Sequence, residues 1–419
     1  MIGDMRRRKF LASSAAAAAG MAPAAAPQDL PAPIRKLGPM AGGVTPISDE
    51  ERRSRLDKAR RLMATHRLDA ILLEPGSSLY YYTGTRWGRS ERLFALVLPA
   101  RGEPAWVVPA FEERRARELI RFGADIRPWE EDESPYLRVA QVFSDRGLRA
   151  GRIGIEESVR FFIFDGLRKQ APAAQYASAD PVTAGCRMIK SPAEIALMQR
   201  ANDLTAAAMG ATLQALGEGM TPQQLRANFA AACRAVGIEG GATAGFGQYS
   251  AFPHGSSSRQ QLRQGEVVLI DAVCQLEGYH ADITRTVVFG TPTARQRQVW
   301  DLERKAQDAA LAAARPGATC ESVDAAARKV ITAAGFGPGY KVPGLPHRTG
   351  HGIGLEGHEW TYLVAGNKAR LEAGMCFSDE PMIAIYGEFG VRLEDCFYMT
   401  EDGPRLFTPQ SPSIEQPFA

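Results

Sequence analysis

The chain has 419 residues, 45% hydrophobic and 23% charged, with a formal charge of +3 from 50 Lys+Arg against 47 Asp+Glu. That composition excludes a chain disordered throughout, and its near-neutral balance gives no electrostatic case for nucleic acid as a partner. No run of about 20 strongly apolar residues lies within the body of the chain, which argues against a membrane-spanning architecture.

Much of the small positive excess sits at the start, in Arg6, Arg7, Arg8 and Lys9. A twin arginine followed by Phe10-Leu11 and an uncharged Ala-rich stretch to Ala26 reads as a Tat-type signal peptide over residues 1–26. Ala22-Pro23-Ala24 supplies small residues for cleavage. The expectation is an exported, periplasmic, soluble protein that crosses the membrane already folded. Residues 27–47, rich in Pro, Gly and Ala, read as a linker. Export would permit disulfides. The six cysteines, Cys186, Cys233, Cys274, Cys320, Cys376 and Cys396, show no CxxC pairing, and buried free thiols are the preferred reading.

Residues 48–185 alternate helical and strand patterns. A basic amphipathic helix over Glu50 to His66 is followed by apolar strands at 70–73, 94–98 and 105–108, then a helix over 112–121. This is a small α/β domain. Residues 186–419 form the second domain. Ser191-Pro192-Ala193-Glu194 is a capping box with Pro at the first helical position, opening a helix that ends near Gly217. A weak internal repeat follows. Thr221 opens a helix that stops at Gly237, and Thr319 opens another that stops at Gly335. Two similar halves facing each other would place a site between them.

Histidine placement is the first sharp chemical signal. Of six histidines, only His66 lies outside residues 254–358. Val267-Val268-Leu269-Ile270 is a buried strand ending in Asp271, and a second strand from Tyr279 carries Asp282. A hairpin centred between Leu276 and Glu277 would set Asp271 opposite Asp282 on one face. Glu380 and Glu394 are symmetric about Gly387, so they too can face each other. Between the hairpins lies Gly350-His351-Gly352-Ile353-Gly354, whose glycines let the backbone come close to whatever the imidazole touches. Four carboxylates and a neutral imidazole converge only around compensating cations. Two divalent ions balance the charge, and oxygen-rich ligation favours Mn²⁺, with Co²⁺ or Zn²⁺ also compatible.

These residues resemble the metallopeptidase M24 family, of the pita-bread fold, and within it the Xaa-Pro branch of prolidase and aminopeptidase P. The resemblance is carried by Asp271, Ala281-Asp282-Ile283-Thr284-Arg285-Thr286, Gly350-His351-Gly352-Ile353-Gly354, Glu380-Pro381 and Arg392-Leu393-Glu394-Asp395. It spans nearly all of residues 48–410, and Arg187-Met188-Ile189-Lys190-Ser191 matches the usual link between the domains. It implies an α/β N-terminal domain plus an α+β pita-bread catalytic domain with pseudo-two-fold halves. It also implies a homodimer, and the metal ligands Asp271, Asp282, His351, Glu380 and Glu394. His254, His347 and His358 match family catalytic positions.

The implied reaction is hydrolysis of the bond preceding proline in dipeptides or short peptides by a metal-activated water. Glu380 would shuttle the proton, and His254 or His358 would donate to the developing oxyanion. His347 and Arg392 would hold substrate polar groups, with an ion pair to a ligand carboxylate as the other role for Arg392. A mature length of about 390 residues favours prolidase over aminopeptidase P. His280 is assigned a structural role. Three positions depart from the family pattern: Val273 two residues after the first ligand, Thr361 after Trp360, and Met382 after Glu380-Pro381. They leave open a same-fold hydrolase of a non-peptide small molecule. A catalytically silent binding protein is the alternative from another class.

Overall fold

A computed structural model of the protein describes residues 30–418. The expected signal peptide lies outside the described residues. The N-terminal domain is a six-stranded sheet of β1 (Ala70–Leu73), β2 (Ala95–Pro99), β3 (Ala105–Pro109), β4 (Asp125–Trp129), β5 (Arg152–Ile155) and β6 (Gln175–Ser178), in the order β4-β3-β2-β1-β5-β6. β2 runs antiparallel to both its neighbours, and the other pairings are parallel. Strands β1 to β3 are buried along their whole length, which explains their unbroken apolar runs. The helix Asp49–His66 lays Leu56, Ala59 and Met63 on this sheet.

The catalytic half begins as the sequence predicts. Ser191 Oγ accepts from the Glu194 amide at 3.2 Å, and the Glu194 carboxylate accepts from the Ser191 amide at 2.9 Å. The helix Pro192–Gln214 follows, ending three residues before Gly217. Thr221 and Gln224 make a second capping box for the helix Pro222–Val236, which stops at Gly237 with φ 88°. The repeat's partner helix, Cys320–Ala333, has Thr319 at its N-cap without a side-chain bond. The helices Pro192–Gln214 and Pro222–Val236 cover the outer face of the first sheet, and Ala294–Ala313 with Cys320–Ala333 cover that of the second. The first sheet holds β7 (Glu239–Phe246), β8 (Val267–Leu276) and β9 (Tyr279–Val288). The second holds β10 (Gly350–Gly352), β11 (Glu359–Leu363), β12 (Cys376–Asp379), β15 (Asp395–Thr400) and β16 (Gly403–Leu406). A ribbon of β13 (Met382–Ile385) and β14 (Phe389–Arg392) extends the β12–β15 pair. This is the α+β pita-bread arrangement, with the inner sheet surfaces facing one another.

Two expectations are corrected. The β8–β9 hairpin turns on Glu277 and Gly278, so Asp271 pairs with Thr284 and Val273 with Asp282. The centre lies one residue later than expected, which moves every partner by two. An even shift keeps both aspartates on one face, now as diagonal neighbours. Glu277 and Gly278 have φ of 52° and 88°, the two positive values that a type I′ turn requires. Glutamate is strained there, and Asn tolerates this conformation better. Glu277→Asn is therefore expected to stabilise the protein by about 1 kcal/mol, read as a higher midpoint in urea.

The second correction concerns residues 27–47. The described part is packed rather than free. The helix Ala32–Arg35 buries Ile34 to 1% exposure among Leu204, Phe229 and Val236. Leu30, Leu37 and Ala41 pack on the same core, and the Met40 amide donates to the Val236 carbonyl at 2.9 Å. The apolar spacing 30, 34, 37, 41 is helical, a signal hidden by the surrounding Pro and Gly. All six cysteines are buried and free, with Cys233 and Cys274 in sulfur contact at 3.8 Å.

Candidate metal centre

The second hairpin has the register its symmetry predicts, with Met382 opposite Arg392 and Asp379 opposite Asp395. Glu380 and Glu394 fall in the gap between those ladders; the Glu380 amide donates instead to the Thr349 carbonyl at 2.8 Å, and Glu394 bridges to β9. The Thr284-Arg285-Thr286 segment of β9 joins this hairpin to the first. Thr284 and Glu394 exchange backbone hydrogen bonds of 3.3 and 3.1 Å. Thr286 Oγ1 donates to the Arg392 carbonyl at 2.7 Å, and the Arg392 amide donates to Thr286 Oγ1 at 3.1 Å. Arg285 is wholly buried. It donates to the Glu394 carbonyl at 2.8 Å and forms an ion pair of 2.7 Å with Asp395.

Five sequence-predicted donors converge at this junction. Asp271, Asp282 and Glu394 place one oxygen each within 4.8 Å of one another, and His351, Glu380 and Glu394 do the same. His358 closes a third such group with Asp282 and His351, its ring stacked on that of His351 at 3.7 Å. His351 Nδ1 lies 3.1 Å from the Gly352 carbonyl, so that nitrogen carries the proton. Nε2 is then a free lone pair, 3.3 Å from Glu380 and 3.8 Å from Asp282.

The electrostatics fit a cation site. Asp282 Oδ1 and Glu394 Oε1 are buried without any hydrogen-bond partner. Such orphaned carboxylate oxygens are costly unless a cation meets them. Burial, and then the neighbouring Glu394, Asp271 and Glu380, push the Asp282 carboxyl well above its ordinary range. Glu394 is raised for the same reasons, and burial lifts Glu380 to about 7 in spite of Arg392. Burial and then the charge of His358 hold His351 down at about 3, so it is a neutral donor at physiological pH. Among the described residues, Arg392 is the one cation in direct contact with the carboxylates. It donates to Asp271 Oδ2 at 2.5 Å and to Thr284 Oγ1 at 3.2 Å, and lies 3.8 Å from Glu380. Of its two expected roles, the ion pair with a ligand carboxylate is the one seen. One guanidinium against four carboxylates leaves a negative excess for a metal cation to meet.

The remaining predicted residues ring the cluster. His347 Nδ1 faces the Arg348 carbonyl at 2.7 Å, while its buried Nε2 has no partner. Burial, then Arg392 and further charges including His254, hold it at about 3. His358 is lowered by burial, then by the charges of Arg348 and His254; His254 and His358 are exposed. His280 turns its Nδ1 to the Gly354 carbonyl at 3.1 Å.

Sequence reasoning missed three supports. Arg187 and Lys190, in the link between domains, both clasp the buried Glu359, with Lys190 at 2.6 Å. Burial alone would raise that carboxyl, but the two bases hold it below its ordinary range. Arg285 is the third. Each stood inside a quoted motif.

Residues 196–401 match metallopeptidase family M24, and residues 55–189 match the Creatinase/Prolidase N-terminal domain. The chain is 31% identical over 366 residues to the Xaa-Pro dipeptidase of Lactobacillus delbrueckii subsp. lactis, covering 86% of this chain and 98% of that one. This chain belongs to metallopeptidase family M24. Among solved structures, the dipeptidase PepE from Mycobacterium ulcerans superposes with a TM-score of 0.81 at 32% identity, covering 90% of this chain and 100% of that one. The prolidase from Thermococcus sibiricus gives 0.79 at 29% identity, covering 87% and 98%. The M24 chain is therefore a peptidase of a metal-dependent family, and the silent binding protein is set aside.

Proposed function

We propose that the protein is a dinuclear-metal Xaa-Pro dipeptidase, with Mn²⁺ as its metal and dipeptides preferred over longer peptides. One observation carries this reading: five donors converge with two buried carboxylate oxygens left without partners. The relatives named Xaa-Pro dipeptidase and prolidase support the substrate class. Asp271, Asp282, His351, Glu380 and Glu394 hold the ions. When bound, these supply an activated water and polarise the scissile carbonyl.

The protein's own groups do the rest. Glu380 takes the proton from the attacking water and passes it towards the proline nitrogen. His254 and His358, exposed at the cluster's rim, donate to the carbonyl oxygen as it becomes an oxyanion. His347 offers its unpartnered Nε2 to the substrate. Arg392 acts through Asp271 and is a positioning residue.

The basic, alanine-rich leader fits export of the folded, metal-loaded homodimer to the periplasm. Among the described residues no helix is long and apolar enough to cross a membrane. The test is turnover of a Xaa-Pro dipeptide and a Xaa-Pro-Yaa tripeptide by the Mn²⁺-loaded mature protein, with a chelator control. Light scattering of the same sample and assay of periplasmic and cytoplasmic fractions complete it. Chelator-sensitive cleavage with the dipeptide preferred is expected from a periplasmic dimer. A protein that binds two metals and cleaves neither peptide would overturn the substrate.

A further inference from the structure

Two of the six cysteines stand apart from the rest. Cys233 Sγ and Cys274 Sγ are in contact at 3.8 Å across 41 positions of the chain. Among the described residues no other two cysteine sulfurs make such a contact. Cys396 instead donates to the Asp282 carbonyl at 3.2 Å, and Cys376 faces the Gly374 carbonyl at 3.8 Å. Cys233 lies in the last turn of the helix Pro222–Val236, and Cys274 lies on β8 beyond Asp271. Both belong to the core between that helix and the first sheet.

Both residues are 1% exposed, so what covers them decides whether they can react. Cys274 pairs across the ladder with Gly240 of β7. A Cβ on Gly240 would lie 2.3 Å from Cys274 Sγ, and Gly240 is itself exposed. The sulfur therefore lies against a strand position that has no side chain to shield it. Cys233 is held at a helix end, where the Gly237 and Ile238 amides donate to its carbonyl at 2.9 and 3.0 Å. Element ends are the parts of a fold that open locally at least cost. Joining the two sulfurs would close a covalent ring over residues 233–274. That ring contains β7, the loop of His254, and β8 with Asp271.

We propose that Cys233 and Cys274 form a disulfide once the protein meets an oxidising compartment, and that the bond braces the His254 loop and the strand of Asp271. The export proposed above supplies the oxidising surroundings, and the bond is independent of the substrate. Bonded sulfurs lie about 2.05 Å apart, and rotation about the two Cα–Cβ bonds closes the remaining gap. The oxidant is a disulfide, of a small molecule or of a protein. The Cys233 thiolate attacks it and releases one donor thiol. The Cys274 thiolate then attacks the Cys233 sulfur of the mixed disulfide and releases the second donor thiol. The two protons lost by the cysteines end on the two donor thiols, and the two electrons go with them.

The test is a peptide map of the purified protein without reduction, its thiols alkylated in denaturant, before and after incubation with oxidised glutathione. Cys233→Ala, Cys274→Ala and the control Cys320→Ala are treated alike. The expected product is one linked pair of peptides, joining Cys233 to Cys274, with the other four thiols still alkylated. The oxidised wild type should melt roughly 5–15 °C above its reduced form. Dithiothreitol should erase that rise, Cys320→Ala should keep it, and the other two variants should lack it. Protein drawn from the periplasm should carry the link as isolated. Six alkylated thiols after incubation, or in periplasmic protein, would overturn the inference, as would a link through another cysteine. A link that leaves the melting point unchanged would overturn the brace. If the protein is absent from the periplasm, export falls, and the glutathione arm still decides whether the pair closes.

Discussion

Asp282→Ala and His351→Ala are each expected to lose bound metal and turnover together, with the fold intact. Asp282 places an oxygen among those of Asp271 and Glu394 and also stands against His351. Its removal takes a donor from two of the three candidate groups, and so does the removal of His351. Disturbing an outer-shell partner typically costs about 10–100-fold in affinity or activity, and a direct donor should cost more. Neither change should unfold the chain. Asp282 is one of several carboxylates that raise each other's proton affinity, and deleting it relieves repulsion in the metal-free protein. Metal content per chain, turnover and circular dichroism, measured on the same preparations, check this. Full activity in either variant would sink the ligand assignment.

The metal-free protein should be more stable at pH 5 than at pH 8, the reverse of what salt-bridged carboxylates give. Asp282 and Glu394 are raised well above their ordinary values, and Glu380 is raised from 4.5 to about 7. A carboxyl with a raised folded pKa holds more protons folded than unfolded between the two values, so stability falls as pH rises through that window. Its contribution is fully present below the unfolded value and is lost on passing the folded one. Glu380 alone accounts for about 3 kcal/mol between pH 4.5 and pH 8. For a domain of this size that is roughly 6–12 °C in Tm. Bound divalent ions neutralise the same oxygens, so Mn²⁺ should remove the pH 8 deficit. Thermal melts of chelated and Mn²⁺-loaded protein across that range decide it. A chelated protein that gains stability towards pH 8 would show that the carboxylates are already compensated by protein groups.

How much of this was legible in advance varies with the kind of residue. The capping boxes at Ser191 and Thr221 were, because both partners of each bond lie within four residues. That Glu380 and Glu394 come together was also legible, because the hairpin is symmetric about Gly387. The first hairpin was misplaced by a residue because Glu277 gives no sign that it adopts positive φ. The faces of Asp271 and Asp282 survived that error because side chains alternate with a period of two. The packing of residues 30–41 was missed because the helices that receive Ile34 lie more than 150 residues away, so no local pattern shows the groove.

The sequence by itself determined the donor set, the two-domain order and the family. Ligand chemistry needs particular residue types, and their spacing within each hairpin is local. Only the tertiary structure decided what surrounds those donors. It showed that Arg392 pairs with Asp271 and that Arg285 anchors Glu394. It also showed that the link between the domains clasps Glu359 and that Val273 stands exposed beside the cluster. Each of these contacts joins residues about 80 or more positions apart, or depends on which side of a sheet is left uncovered. Burial and long-range pairing arise when the elements pack together, and periodicity along the chain does not encode them.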